Sequence, residues 1–557
     1  MKKIKKLFPK TELLQVALIL AITIPIVIPL LRSDFFHFSD EVHITNMYEM
    51  YKAINAGQIP PRMAPDMSWG FGYPLFNYYY VLPYYLGVFF YYIFHSFITS
   101  YKFILFIATI LSGVFMYAFL RKFGNKFQAF TGTLVYLYAP YRAVDLYIRG
   151  ALGEIFAFAF FPLIGLLIYK LSKKSSGFKN VGIFALVFGL FVISHNLSPI
   201  LIMPWFFIFF FLINENKIGS LYKFILGLVL GIFLAGYWFF PAIIESLLLK
   251  PQPQFNFIDH YPFIRQLIYS KWGYGASNPG IGDDISFQIG FANLLLILMG
   301  VFYLFKNGLK QINKILLFTL ISITIVIFMM NIRSTSIWNL VKIANYIQFP
   351  WRLLLLTTFF TSFLIIFIKN RIILILLILL SLFNIQYFKP SEYFSPGDDY
   401  FLRRYFANQS IDGETKIVSG EYPAWLEDYA ILPNWVEKRA DFLPKSRFYS
   451  DSLAFSNYSR VDFTNYKLEL SAKKEGTLWT FLYYFPGWTA YLNNKKLIPN
   501  IQEPYGTMVF DIPSGNWTFQ LKWEETPMRK FFDFLSLTSL IIISSLILYS
   551  RRVEKIK

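Results

Sequence analysis

The sequence predicts a polytopic α-helical membrane protein of about twelve transmembrane helices with an exported C-terminal β-sandwich. Three observations lead there. The 557 residues are 56% hydrophobic and only 15% charged, with mean hydropathy +0.47, whereas soluble domains carry roughly 25% charged residues. Apolar stretches recur near 13–31, 102–120, 127–141, 154–171, 180–194, 198–213, 221–241, 287–305, 314–330, 351–368, 371–388 and 531–549. Most approach the roughly 20 residues needed to cross about 30 Å of hydrocarbon. From Pro390 to Lys530 the character changes to polar, turn-rich sequence with a period of two.

The first span follows MKKIKK and runs Leu13 to Leu31. Its 19 residues exceed the 7–15 of a signal-peptide apolar region, so it reads as a retained helix with its basic end in the cytoplasm. Net charge is +19, from 52 Lys and Arg against 33 Asp and Glu. Residues 390–530 hold 18 acids and 16 bases, so the surplus belongs to the membrane part. There the clusters Arg121-Lys122, Lys170 to Lys179, Lys306 to Lys314, Lys369 to Arg371 and Arg551 to Lys557 share one side if both termini are cytoplasmic. Acids concentrate in the opposite loops. The basic surplus therefore orients the chain in a plasma membrane and points to the lipid bilayer, not nucleic acid, as its partner.

Tyr78 to Phe97 is apolar and long enough to span, but counting it would invert every later loop. Its tyrosines and Pro83 suit the headgroup level, so it reads as a juxtamembrane segment on the outer face. The organisation is then a membrane domain over 1–389, whose first outer loop (32–101) carries juxtamembrane helices. An extracytoplasmic β-sandwich follows over 390–530, then a final helix with a basic cytoplasmic tail over 531–557. In the sandwich, Tyr466, Leu468, Leu470 and Ala472 alternate with polar residues, as do Trp517, Phe519, Leu521 and Trp523. Pro486-Gly487, Asn493-Asn494 and Ser514-Gly515-Asn516 mark turns. Trp425, Trp435 and Trp488 are available to stack on sugar rings as well as to fill a core. With no Cys in the chain, disulfides, thiolate metal sites and a Cys nucleophile are excluded.

Ionisable residues at the outer ends of spans are the informative set, because placing them near hydrocarbon is costly. Asp40, Glu41 and His43 follow the first span, and Arg62 lies further along the same loop. Asp145, Arg149 and Glu154 follow the third span, His195 ends the fifth, and Trp351-Arg352 begins the tenth. One carboxylate base among several cations suits transfer of a sugar from a lipid-linked phosphate. The acceptor hydroxyl must lose a proton as it attacks. The phosphate leaves without a general acid because its second pKa is near 6, whereas glycoside hydrolysis needs a paired acid. We assign Asp40 as base, with Glu41 as its acidic neighbour in the catalytic pair. Arg149, Arg352, Arg62 and His195 are assigned to the donor phosphate, and Tyr78, Asp145, Glu154 and Trp351 to the acceptor or sugar. Glu41 and His43 orient Asp40, or Asp40 and His43 bind a divalent cation (Mg or Mn); the residues leave both open. Asp283-Asp284, in a loop over the cavity mouth, reads as a solvated turn.

The order of motifs resembles known families over nearly the whole chain. The acidic pair, GQIPPRMAP (57–65) and GFGYPLFNYYY (70–80) look like the GT-C membrane glycosyltransferases. YRAVDLYIRGALGE (141–154), SHN (194–196), IQFPWR (347–352) and YYFPGWTAYLN (483–493) resemble the bacterial 6-pyruvoyl-tetrahydropterin synthase-related membrane proteins, and the YfhO-like proteins that glycosylate surface polymers. The resemblance implies a GT-C-like fold, a polyprenyl-phosphate sugar donor, a glycan, surface-polymer or lipid acceptor, and Asp40 as the catalytic carboxylate. Within such families the first-loop acid is a base or a metal ligand. Histidines clustered as for a zinc synthase are not seen among His37, His43, His95, His195 and His260. Two other readings stand beside the transferase: a transporter or flippase for a lipid-linked glycan, and a non-catalytic surface-polysaccharide assembly protein.

Overall fold

A computed structural model describes residues 13–215, 217–250, 257–306, 313–341, 347–405, 409–411, 414–416, 432–442 and 444–556. Trp425, named above for sugar stacking, lies outside them. Each predicted span contains a helix. Among the described residues five helices are long and apolar enough to cross a membrane: Leu13–Leu31, Phe97–Leu120, Leu152–Ser172, Pro350–Phe367 and Pro527–Leu548. The count rises to seven if each of two bent pairs is one span. Ile218–Leu234 meets Gly236–Leu248 at 72°, and Lys314–Met329 meets Ile332–Leu340 at 91°. Hydropathy runs through such breaks without registering them.

Local chemistry explains several helix boundaries. Ser96 caps Phe97–Leu120 by accepting from Thr99 N–H, and Asp398 accepts from the main-chain amides of Phe97 and Ile98 at 2.7 and 3.0 Å. A carboxylate there suits the positive end of the helix dipole. Asn125 and Gln128 form a reciprocal capping box that opens Lys126–Leu137. That helix stops four residues before the end expected from hydropathy, because Pro140 starts a new turn whose first amide needs no partner. Leu82–Phe94 has 13 residues, about 20 Å of helix, which is short of the hydrocarbon thickness. It ends where His95 turns left-handed at φ +52°. One contiguous core runs through the helices, from Ile19 to Leu377 and into the first loop.

The C-terminal region is built from small antiparallel sheets. Strands 454–462, 465–472, 515–523, 488–492 and 495–497 form one sheet in that order, and 448–449, 476–483, 507–512 and 500–502 form another. Tyr466, Leu468, Leu470 and Ala472 are buried, as the alternation requires, and join Leu478, Phe510, Phe519 and Leu521 in one core cluster. Trp488 is buried in that cluster and Trp435 donates to the Tyr484 carbonyl, so both serve packing here. Asn493 and Asn494 turn the 488–497 hairpin at φ +47° and +66°, the paired left-handed residues that a tight hairpin favours. Phe71 of the first loop packs on Phe442, Phe481, Tyr483 and Tyr505. The first loop is thereby wedged between the helices and the sheets.

Candidate active site

The site is organised by the π-helical turn Asp145–Arg149, a geometry that recurs at functional positions. Its C-terminal end pairs with the first loop through main-chain bonds. Ser39 N–H donates to Ile148 C=O at 2.9 Å and Asp40 N–H to Arg149 C=O at 2.8 Å. Two glycines permit the approach. A Cβ on Gly150, which has φ +65°, would stand 2.1 Å from the Phe38 ring, and one on Gly153 would stand 2.4 Å from the His195 ring. Tyr80 accepts from Gly153 N–H at 3.2 Å and meets His195 edge to face.

These elements enclose a cavity of about 190 Å³ lined by Asp40, Tyr79, Tyr80, Arg149, Ala151, Gly153, Glu154, His195, Asn196, Leu197, Gln348 and Arg352. Five of the residues assigned from sequence therefore meet: Asp40, Arg149, Glu154, His195 and Arg352. The volume is below the roughly 300–1,000 Å³ of a drug-sized site.

Charge inside the cavity is ordered. Arg149 Nη1 donates to Asp145 Oδ1 at 2.6 Å and Glu154 Oε1 at 2.9 Å, while its guanidinium lies 4.9 Å over the Trp351 ring. Tyr141 donates to Glu154 Oε2 at 2.6 Å. Arg352 Nε stands 3.5 Å from Glu154 Oε1 and has no hydrogen-bond partner among the described residues. Arg149 is thus largely neutralised, and Arg352 is the cation with donor capacity left. Asp40 keeps a side chain 30% exposed, with its Oδ2 4.0 Å from His43 Nε2. His43 is 1% exposed and hydrogen-bonds Tyr84 through Nδ1 at 2.8 Å. Burial pushes its pKa down to about 4, against the raising effect of Asp40. Burial likewise lowers His195 to about 3, against Glu154. Both imidazoles are neutral at ordinary pH, so His195 can offer a phosphate a hydrogen bond but no charge.

Other assigned residues stand elsewhere. Glu41 is 3% exposed and its Oε1 meets His37 Nδ1 at 2.8 Å, so it turns away from the cavity. Adjacent residues at the start of a helix diverge by about 100°, as 3.6 residues per turn requires. Arg62 is buried against Glu525 and Asp533, 3.0 Å from each, and donates to the Tyr237 carbonyl. Tyr78 donates to the Glu245 carbonyl at 2.8 Å. Asp145 and Trp351 support Arg149 from behind the lining. Asp40 Oδ2 and His43 Nε2 make a pair 4.0 Å apart, and among the described residues no three His, Asp or Glu converge as a metal would need. Tyr79, Tyr80, Asn196 and Gln348 went unassigned although they lay inside quoted motifs. Asp283, read as a solvated turn, is buried and accepts from Gln266, Ser277 and Asn278, and Ser277 in turn accepts from Trp351 Nε1 at 3.2 Å.

One family model matches the chain over residues 76–389, described as a 6-pyruvoyl-tetrahydropterin synthase related domain of membrane proteins. Neither the curated proteins nor the solved structures include a match.

Proposed function

The chain belongs to the 6-pyruvoyl-tetrahydropterin synthase related family of membrane proteins, and from that premise we propose an integral-membrane glycosyltransferase of GT-C type. It takes a sugar from a polyprenyl-phosphate donor and passes it to a glycan, surface-polymer or lipid acceptor at the outer face of the plasma membrane. The observation that carries the reading is one cavity holding a partly exposed carboxylate, Asp40, opposite a guanidinium with an unused donor, Arg352. In this reading the helices form about twelve spans or partial spans, both termini are cytoplasmic, and the two sheets pack as an external sandwich.

The chemistry follows from those groups. An acceptor hydroxyl donates its proton to Asp40 as its oxygen attacks the anomeric carbon. The bond from that carbon to the phosphate oxygen breaks, the electron pair leaves with the phosphate, and the anomeric centre inverts. Arg352 compensates the charge gathering on the leaving phosphate. Arg149, held by Asp145, Glu154 and Trp351, fixes the position of Glu154 and through it Arg352. Among the described residues no three His, Asp or Glu converge to make a divalent-cation site.

The two bent helix pairs are what a transporter would use, but neither break contributes a residue to the cavity. That favours transfer over transport. The test supplies membranes containing the protein with radiolabelled polyprenyl-phosphate sugars. Asp40→Asn should lower transfer by about 10²–10⁴-fold, the usual contribution of a positioned base. Equal transfer by variant and wild type would remove Asp40 from the reaction.

A further inference from the structure

Gln348 is the odd member of the segment that walls the cavity beside Arg352. Its φ of +65° is left-handed, a conformation uncommon for a side-chain-bearing residue and free of penalty for glycine. Phe349 N–H donates to Ile347 C=O at 2.7 Å, closing a three-residue turn of the strained, positive-φ kind around it. Both flanks hold that turn: Ile347 is fully buried, and Phe349 stacks on Trp351 with centroids 5.0 Å apart. Glycine would make the same turn unstrained, yet the position carries a side chain that lines the cavity. Strained positions cluster where ligands are gripped.

Its chemistry differs from that of its neighbours. Glu154 is engaged by Tyr141 and Arg149, and Asn196 donates its amide to the Tyr78 carbonyl at 2.8 Å. The Gln348 amide hydrogen-bonds no described residue. A carboxamide offers two donor hydrogens and an acceptor, which complements a pair of ring hydroxyls and adds no charge for a phosphate. Resting on the transferase reading, we infer that Gln348 reads the hydroxyls of the donor sugar while Arg352 holds the phosphate. Gln348 is then a specificity-determining residue.

Gln348→Gly separates recognition from architecture, since it relieves the positive φ and removes the side chain with its amide. The detergent-purified full chain is titrated with farnesyl phosphate and with farnesyl-phosphoryl glucose, galactose, mannose and N-acetylglucosamine. Wild type should bind at least one glycosylated probe more tightly than farnesyl phosphate. Q348G should shrink that preference about tenfold, the worth of one to two hydrogen bonds, with farnesyl phosphate affinity kept and the thermal midpoint equal or higher. Gln348→Asn tolerates the same φ and serves if the glycine variant fails to fold; its shorter amide should also reduce the preference. A preference unchanged in either folded variant overturns the inference, as does a wild type that binds farnesyl phosphate and favours no sugar. A wild type that binds none of the probes removes the transferase reading, and this inference falls with it.

Discussion

The main-chain amide of Asp40 donates to the main-chain carbonyl of Arg149 at 2.8 Å. The segment that bears the carboxylate assigned as base and the turn that carries the guanidinium are therefore held to each other by a backbone hydrogen bond. Gly150 makes this possible. Gly150→Ala would drive a Cβ into Phe38 at 2.1 Å while keeping φ at +65°, so the pairing must open. We expect a loss of about 1–3 kcal/mol of stability and a larger proportional loss of transfer, read by thermal unfolding in detergent alongside the radiolabel assay. Wild-type stability in G150A would contradict the packing described.

Arg352 is the cavity cation with a hydrogen-bond donor left unpaired among the described residues. Arg352→Gln should raise the donor concentration needed for half-maximal rate and lower the rate, by about 10–100-fold together, as for removal of one charge-assisted bond worth about 1.5–3 kcal/mol. Arg352→Lys should recover part of the loss, because an ammonium supplies charge without the planar fork. Steady-state kinetics against donor concentration decides it.

Ion pairs fasten the last helix to the bundle, through Arg529 and Glu245, and to the first loop, through Asp533 and Arg62. Arg529 meets both carboxylate oxygens of Glu245 at 2.9 Å, with neither residue more than 4% exposed. Glu245→Gln leaves the guanidinium uncompensated, and removing one partner of such a pair costs about 3–5 kcal/mol. The double variant Glu245→Met with Arg529→Met should be more stable than E245Q, since no lone charge is left behind. Thermal midpoints of the three proteins give the answer.

Stability should fall in mild acid because of His43. Its pKa drops from 6.5 to about 4 on folding, through burial. A folded pKa below the unfolded one means that the neutral ring favours the folded protein in full above pH 6.5 and progressively less as pH falls toward 4. The whole change is about 3 kcal/mol at about 1.4 kcal/mol per unit. The thermal midpoint should be flat near neutrality and fall below about pH 6, with a shallower fall in His43→Gln. A wild-type midpoint insensitive to acid in that window would refute a buried neutral imidazole.

The absence of native Cys makes membrane orientation directly readable. Lys122, Ser175 and Lys474 are exposed, and none caps a helix as Asn125 does. Single cysteines at Lys122 and Ser175 should react with a membrane-impermeant maleimide only from the cytoplasmic side, and at Lys474 only from outside. Reaction of K122C from outside would mean that Leu82–Phe94 crosses the bilayer.

The sequence showed which charges sit at span ends, and that was enough to collect Asp40, Arg149, Glu154, His195 and Arg352 around one cavity. Partners far apart along the chain were out of reach. Nothing local tells that Arg62 faces Glu525 and Asp533, and loop motifs next to a candidate base made it look like a phosphate ligand. The phase of a helix start, unresolved in sequence, decides that Asp40 and not Glu41 faces inward. Alternation foretold the buried faces of strands 465–472 and 515–523 because the pleat imposes a strict period. Helix breaks at residues 235 and 330–331 left no hydropathy signal, since apolar side chains continue on both sides of each bend. Gly150 and Gly153 were quoted only as parts of a motif; their value is the absence of a Cβ against Phe38 and His195, a property of the folded chain alone.

Arg352 Nε–H is buried without an acceptor among the described residues, and a bilayer presents both neutral and anionic head groups. A neutral head brings a weak acceptor to that group, whereas an anionic head satisfies it on arrival. Discrimination against neutral heads would then precede any chemistry, as a property of the resting protein.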